Sequence, residues 1–196
     1  TYLARGMEPQ RGFPEFMRAL PGVLRAFPGA EIVVVGEDRV AYGSQLPDGD
    51  SWKRRMLAEL DLDLSRVHFT GLISPRVYRQ MLHATDLHVH LSVPFVLSWS
   101  FVEAMSAGAP LVASDTAPIR EALHGADAAH CVDHSDPEAL LAAICGVLSE
   151  PDAARAMGQR ARRIAVQYYA RTNIYPAKAN FLAELAGSGN AVAMNM

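Results

Sequence analysis

Short runs rich in β-branched residues alternate with longer amphipathic stretches along most of the chain, and this alternation restricts the fold more than any other feature. Such a rhythm builds strand-helix-strand units whose right-handed crossovers feed a parallel sheet. Candidate strands are Tyr2 to Arg5, Glu31 to Val35, Arg66 to Phe69, Asp86 to Leu91, Pro110 to Ala113 and His130 to Val132. Between the first two, Phe16, Met17, Leu20, Val23, Leu24 and Phe27 recur at helical spacing, and Pro28-Gly29 stops the pattern. The spacing predicts further helices over Trp52 to Leu60, Pro75 to Ala84, Ser100 to Ala107, Pro118 to Leu123 and Asp136 to Leu148. The last of these opens with Ser135-x-x-Glu138, a capping-box pattern. Two more helices, Asp152 to Tyr168 and Ala177 to Leu185, have no strand partners and are expected on the outside. Glu37 to Asp50, rich in Gly, Pro and Asp, reads as an exposed loop.

Strict alternation of this kind most often gives a doubly wound α/β sheet in the order 3-2-1-4-5-6. Residues 1–186 then form one domain, with terminal helices from position 152, and 187–196 a flexible tail. Ligands of such sheets bind beyond the strand carboxyl ends where the order reverses, here between strands one and four. The loops that matter are therefore Arg5 to Phe13 and Ser92 to Glu103.

Composition excludes several classes. The chain has 196 residues, half of them apolar, which is enough for one core without disulfide or metal staples. A formal charge of -3 argues against nucleic acid, so any anion site must be local. Cys131 and Cys145 form neither a CxxC nor a disulfide framework, which points to a reducing, cytoplasmic setting. The longest stretch without charged residues, Leu87 to Val102, is too short to span a bilayer. The chain starts at Thr1 without a leader pattern and reads as a piece of a longer protein.

The first loop, Arg5-Gly6-Met7-Glu8-Pro9-Gln10-Arg11-Gly12-Phe13, carries two guanidiniums around a glycine-bearing turn. Paired arginines offer forked donors to phosphate oxygens, and Gly6 lets backbone approach a ligand. The plainer alternative is a surface turn whose arginines pair with Glu8 or solvent. The second loop runs into a helix whose free amides and positive dipole end suit a diphosphate, with Ser98 and Ser100 adding hydroxyls. Glu103 has two open roles: the acidic half of a second capping box, Ser100-x-x-Glu103, or acceptor of hydrogen bonds from a ribose. His88 and His90 share one strand face but have no third ligand at metal spacing. Trp99 reads as a partly buried cover for the loop, and Arg160, Arg162 and Arg163 as a solvated helix face.

The arginine-bearing turn, Glu103-Ala-Met-x-x-Gly followed by Pro110-Leu-Val-Ala-Ser, and Pro118-Ile-Arg-Glu121 resemble the carboxyl-terminal domain of family 4 glycosyltransferases. Asp136-Pro-Glu-Ala-Leu and Met157-Gly-x-x-Ala-Arg are similar to that family too. The resemblance implies a Rossmann-like domain forming the donor-binding half of a GT-B enzyme. It implies transfer of a sugar, with retention, from a nucleotide-diphosphate sugar. By matched position, Arg5 and Arg11 would hold the diphosphate, Glu103 the ribose, and amides of Val96, Leu97 and Ser98 the phosphates. The base would lie near Thr70-Gly71-Leu72. No metal cofactor is implied. The partner would be an amino-terminal domain of the same protein, which would carry the acceptor site and any peripheral membrane contact, so this piece alone would turn donor over poorly.

The sequence departs from the family at one position. Where the first glutamate of the Glu-x7-Glu motif should contact the sugar, this chain has Phe95. Two alternatives therefore stay open: a nucleotide-sugar-binding module without transfer, and a relative that isomerises or cleaves the sugar nucleotide.

Overall fold

The structure is a computed structural model that describes residues 1–193, with side chains described for 1–186. The tail expected at 187–196 lies outside the fully described residues. Six parallel strands form one sheet in the order β3-β2-β1-β4-β5-β6. They are β1 (Tyr2–Gly6), β2 (Ile32–Glu37), β3 (Val67–Gly71), β4 (His88–His90), β5 (Leu111–Ser114) and β6 (His130–Val132). The crossovers are α1 (Phe13–Ala26), α2 (Trp52–Glu59), α3 (Pro75–Ala84), α4 (Trp99–Ala107) and α5 (Ala117–Ala122), followed by α6 (Pro137–Ser149), α7 (Pro151–Ile164) and α8 (Arg171–Ala193). The expected fold class and strand order are both present.

Period-2 alternation distributes β5 between two cores. Val112 joins a cluster with α1 and α6, while Leu111 and Ala113 join one with α4, α5 and α7. The first core is anchored by Tyr2, stacked on Phe16 with centroids 4.7 Å apart. The apolar stripe of α1, from Phe13 through Leu24, is buried against it. Each such side chain contributes about 1.5–3 kcal/mol on burial.

Helix starts follow local chemistry. Ser51 and Ser74 cap α2 and α3 by accepting the Arg54 and Val77 N–H groups. At α6 the cap is Asp136, which accepts from Glu138 and Ala139, and this corrects the expected Ser135 box. The Ser135 hydroxyl instead donates to Asp133 at 2.7 Å, which takes it out of capping.

The terminal helices also depart from expectation. The predicted Asp152 to Tyr168 helix is α7 followed by a π turn at Ala165–Tyr169. Far from lying outside, α7 sends Ala154 and Met157 into one core and Ala161 and Ile164 into the other. Gly158 permits this crossing: a Cβ there would stand 2.1 Å from the Gly108 carbonyl oxygen. The expected solvated arginines partly serve the same packing, since Arg160 donates to the Asp127 carbonyl and Arg162 to that of Ser106. The last helix begins earlier than the apolar pattern suggested and runs through Pro176. No helix among the described residues is long and apolar enough to cross a membrane.

Candidate functional site

The order reversal places the ends of β1 and β4 side by side. The turn after β1 is held by a buried glutamate. Glu8 is 0% exposed, and its carboxylate accepts N–H bonds from Ala41 (3.1 Å), Tyr42 (2.9 Å) and Gly43 (2.9 Å). It therefore does not pair with the arginines, and the loop after β2 is clamped to the site rather than free in solvent. Tyr2 donates its hydroxyl to the Arg11 carbonyl at 2.8 Å, fixing the 3-10 turn Pro9–Arg11. Gly12 ends that turn at φ 62°, and a Cβ there would stand 2.5 Å from Leu91 Cβ. The Val93 N–H donates to the Gln10 carbonyl at 3.1 Å and ties the two loops together.

With Glu8 committed elsewhere, neither Arg5 nor Arg11 makes an ion pair among the described residues. The Arg11 guanidinium lies over the Tyr42 ring, 5.1 Å from its centroid. Opposite them, α4 starts at Trp99 with Ser98 as its cap residue, and no side chain caps its first turn. The Ser98 and Ser100 hydroxyls bond each other at 2.8 Å. This overturns the Ser100-x-x-Glu103 box: Glu103 lies beyond the first turn and points into the cleft beside Tyr78. Burial first, and the Glu103 charge second, push the Tyr78 phenol well above its ordinary range. Trp99 is 85% exposed, not the partly buried cover its composition suggested.

These elements enclose a cleft of about 570 Å³, the size of a small-molecule site. Arg5, Arg11, Leu72, Val96, Leu97, Ser98, Ser100 and Glu103 all line it. Gly6 and Gly71 close β1 and β3 at the same sheet edge without lining it. A larger cavity, about 690 Å³, opens at the opposite edge beside His83 to Asp86 and lacks the convergent cations.

Tyr42 and Tyr78 line the cleft without having been singled out in the sequence, and His90, weighed there only as a metal ligand, lines it too. His88 and His90 are both buried, with ring centroids 6.4 Å apart. His88 Nδ1 meets the Thr1 hydroxyl at 3.0 Å, whereas neither ring nitrogen of His90 has a partner among the described residues. Burial, reinforced by the Arg11 charge, pushes the His90 imidazole down to about 3. Among the described residues no group of three His, Cys, Asp or Glu side chains is placed to hold a metal.

A cleft of this make-up at this point of a doubly wound sheet invites comparison with known proteins. Residues 1–150 match the sequence model of the family described as glycosyl transferases group 1. The chain belongs to this family.

A curated relative, the phosphatidyl-myo-inositol mannosyltransferase of Mycolicibacterium smegmatis, is 31% identical over 154 residues. That match covers 76% of this chain and 36% of the relative, so the chain spans about a third of the mannosyltransferase's length. Among solved structures, Anabaena HepE in complex with UDP superposes with a TM-score of 0.77 at 22% identity, over 93% of this chain and 48% of HepE. The C-terminal domain of the group 1 protein LpcC from Francisella tularensis superposes at 0.73 and 17% identity, covering 87% of this chain and 85% of that domain. The six-stranded sheet is thus the fold of GT-B glycosyltransferase domains.

Proposed function

We propose that this chain is the carboxyl-terminal, donor-binding half of a family 4, GT-B enzyme that transfers a sugar with retention from a nucleotide-diphosphate sugar to an acceptor. The observation that carries the reading is the placement of two guanidiniums without ion-pair partners across one cleft from the uncapped start of α4. In transfer, the bond between the anomeric carbon and the diphosphate oxygen breaks with its electron pair on the diphosphate. The acceptor oxygen bonds to the same carbon and sheds its proton. Arg5, Arg11 and the amides from Val96 to Ser98 would stabilise the charge that develops on the leaving diphosphate. Those cations serve in place of a divalent ion, and Glu103 would accept from the ribose, with Leu72 and Gly71 flanking the base. HepE structures with UDP and with UDP-glucose support a nucleotide sugar as the donor class.

On this reading the acceptor site belongs to an amino-terminal domain of the same cytoplasmic protein, which would also make any peripheral membrane contact. This piece alone would bind donor without turning it over. Phe95, apolar and 63% exposed at the cleft, favours a second reading in which the module binds a nucleotide sugar without transferring it. Sugar transfer by the chain joined to its amino-terminal domain separates the two.

The binding claim is tested by thermal shift with UDP, GDP and ADP, each with and without glucose. A ligand present at a hundred times its dissociation constant stabilises by about 2.7 kcal/mol. Arg11→Ala is expected to weaken the diphosphate ligands about 10- to 100-fold, the worth of a charge-assisted hydrogen bond, and to leave free nucleosides unaffected. Equal binding of the whole panel by parent and variant would contradict the phosphate role.

A further inference from the structure

Among the described residues, His90 is the polar side chain at the cleft that is more than nine-tenths buried and that the proposed function leaves unused. It is 3% exposed, at the carboxyl end of β4, and packs its ring against Phe101 with centroids 5.3 Å apart. Both of its nitrogens are buried without a partner among the described residues. An imidazole left in this state is costly, because buried polar groups are hydrogen-bonded almost without exception. An apolar residue would fill the same space at no such cost.

His90 lines this cleft and also a niche of about 10 Å³ against the 95–98 segment, walled by Ser92, Ser98 and Thr116. That volume admits a single oxygen, either a water or one hydroxyl group. Niche and cleft share His90 and the segment from Phe95 to Ser98, so His90 stands where a group reaching in from the cleft would meet it.

The chemistry selects among the donor's parts. Phosphate oxygens only accept, and the cleft already offers them two guanidiniums and the α4 amides. A neutral imidazole has one N–H and one lone-pair nitrogen on opposite sides of the ring, and a hydroxyl, which both donates and accepts, can pair with whichever of the two it meets. Burial and the nearby Arg11 keep His90 neutral at any working pH. Phe95 brings a side chain with no polar atom to the cleft, whereas His90 brings two ring nitrogens to the same lining.

We infer that His90 is a sugar-reading residue, whose imidazole binds one hydroxyl of the transferred sugar in the niche against the Phe95 to Ser98 segment. This rests on the reading of the cleft as a nucleotide-sugar site.

The test is calorimetric titration of the parent, His90→Phe and His90→Gln with UDP, GDP and ADP and with the corresponding nucleotide-glucose compounds. In His90→Phe the dissociation constant for the preferred nucleotide sugar is expected to rise about tenfold, while that for the matching diphosphate stays within about twofold. His90→Gln keeps a donor and an acceptor and is expected to recover most of the loss. Constants for diphosphate and nucleotide sugar that rise together in both variants would make His90 structural and overturn the inference. So would a nucleotide-sugar constant unchanged in His90→Phe. A parent that binds none of these compounds overturns the cleft reading itself, and this inference with it.

Discussion

Glu8 and Arg11 share one turn yet do opposite work. Arg11 keeps its charge available to a ligand because Glu8 spends its carboxylate on the N–H groups of Ala41, Tyr42 and Gly43. The position of the arginines was legible in the sequence, since both lie in the loop that follows the first strand, beside the reversal of strand order. The job of Glu8 was not, because its partners lie 33 to 35 residues away, beyond the reach of any local pattern. Tyr42 enters the cleft for the same reason. Glu8→Ala strands these donors in a buried setting, and a loss of about 2–4 kcal/mol in urea unfolding is expected, against about 1 kcal/mol for Glu8→Gln, which keeps an acceptor oxygen. Equal stability of Glu8→Ala and the parent would show that the clamp contributes nothing.

At the scale of elements, alternation located every strand and the helices between them, because the two periodicities are set by which faces are buried. Boundaries were less legible where neighbouring residues compete for one role. Ser135 and Asp136 are both good caps, and only the presence of Asp133 decides between them. Strand β4 was recognised by its pattern, but the burial of its histidines depends on distant partners, Thr1 beside His88 and Phe101 of α4 beside His90. That burial makes stability depend on pH. The folded His90 titrates at about 3, far below the ordinary histidine value of 6.5. Between those values the unfolded chain binds the proton and the folded chain does not, so stability falls as pH drops below the ordinary value. The expected loss from this one group is about 1.4 kcal/mol between about pH 7.5 and about pH 5.5. His90→Phe should shrink the measured pH dependence of urea unfolding by that amount, and an unchanged slope would mean that His90 is protonated in the folded protein.

For the whole molecule, strand order matters more than any single residue. The order β3-β2-β1-β4-β5-β6 creates one reversal, and the loops on either side of it bring Arg5, Arg11 and the start of α4 to one cleft. This much followed from right-handed crossovers and could be inferred before any coordinates. What the sequence hid were contacts between distant segments, such as α7 crossing α4 at Gly158 and the niche beside Phe95. The central claim is that a pyrophosphate sits between the Arg5 to Arg11 turn and the first turn of α4. Crystals soaked with UDP-glucose, or with whichever nucleotide sugar gives the largest thermal shift, test it most directly. Density for the diphosphate is expected to touch both guanidiniums and the α4 amides. A nucleotide seated elsewhere, with both arginines turned to solvent, would contradict it.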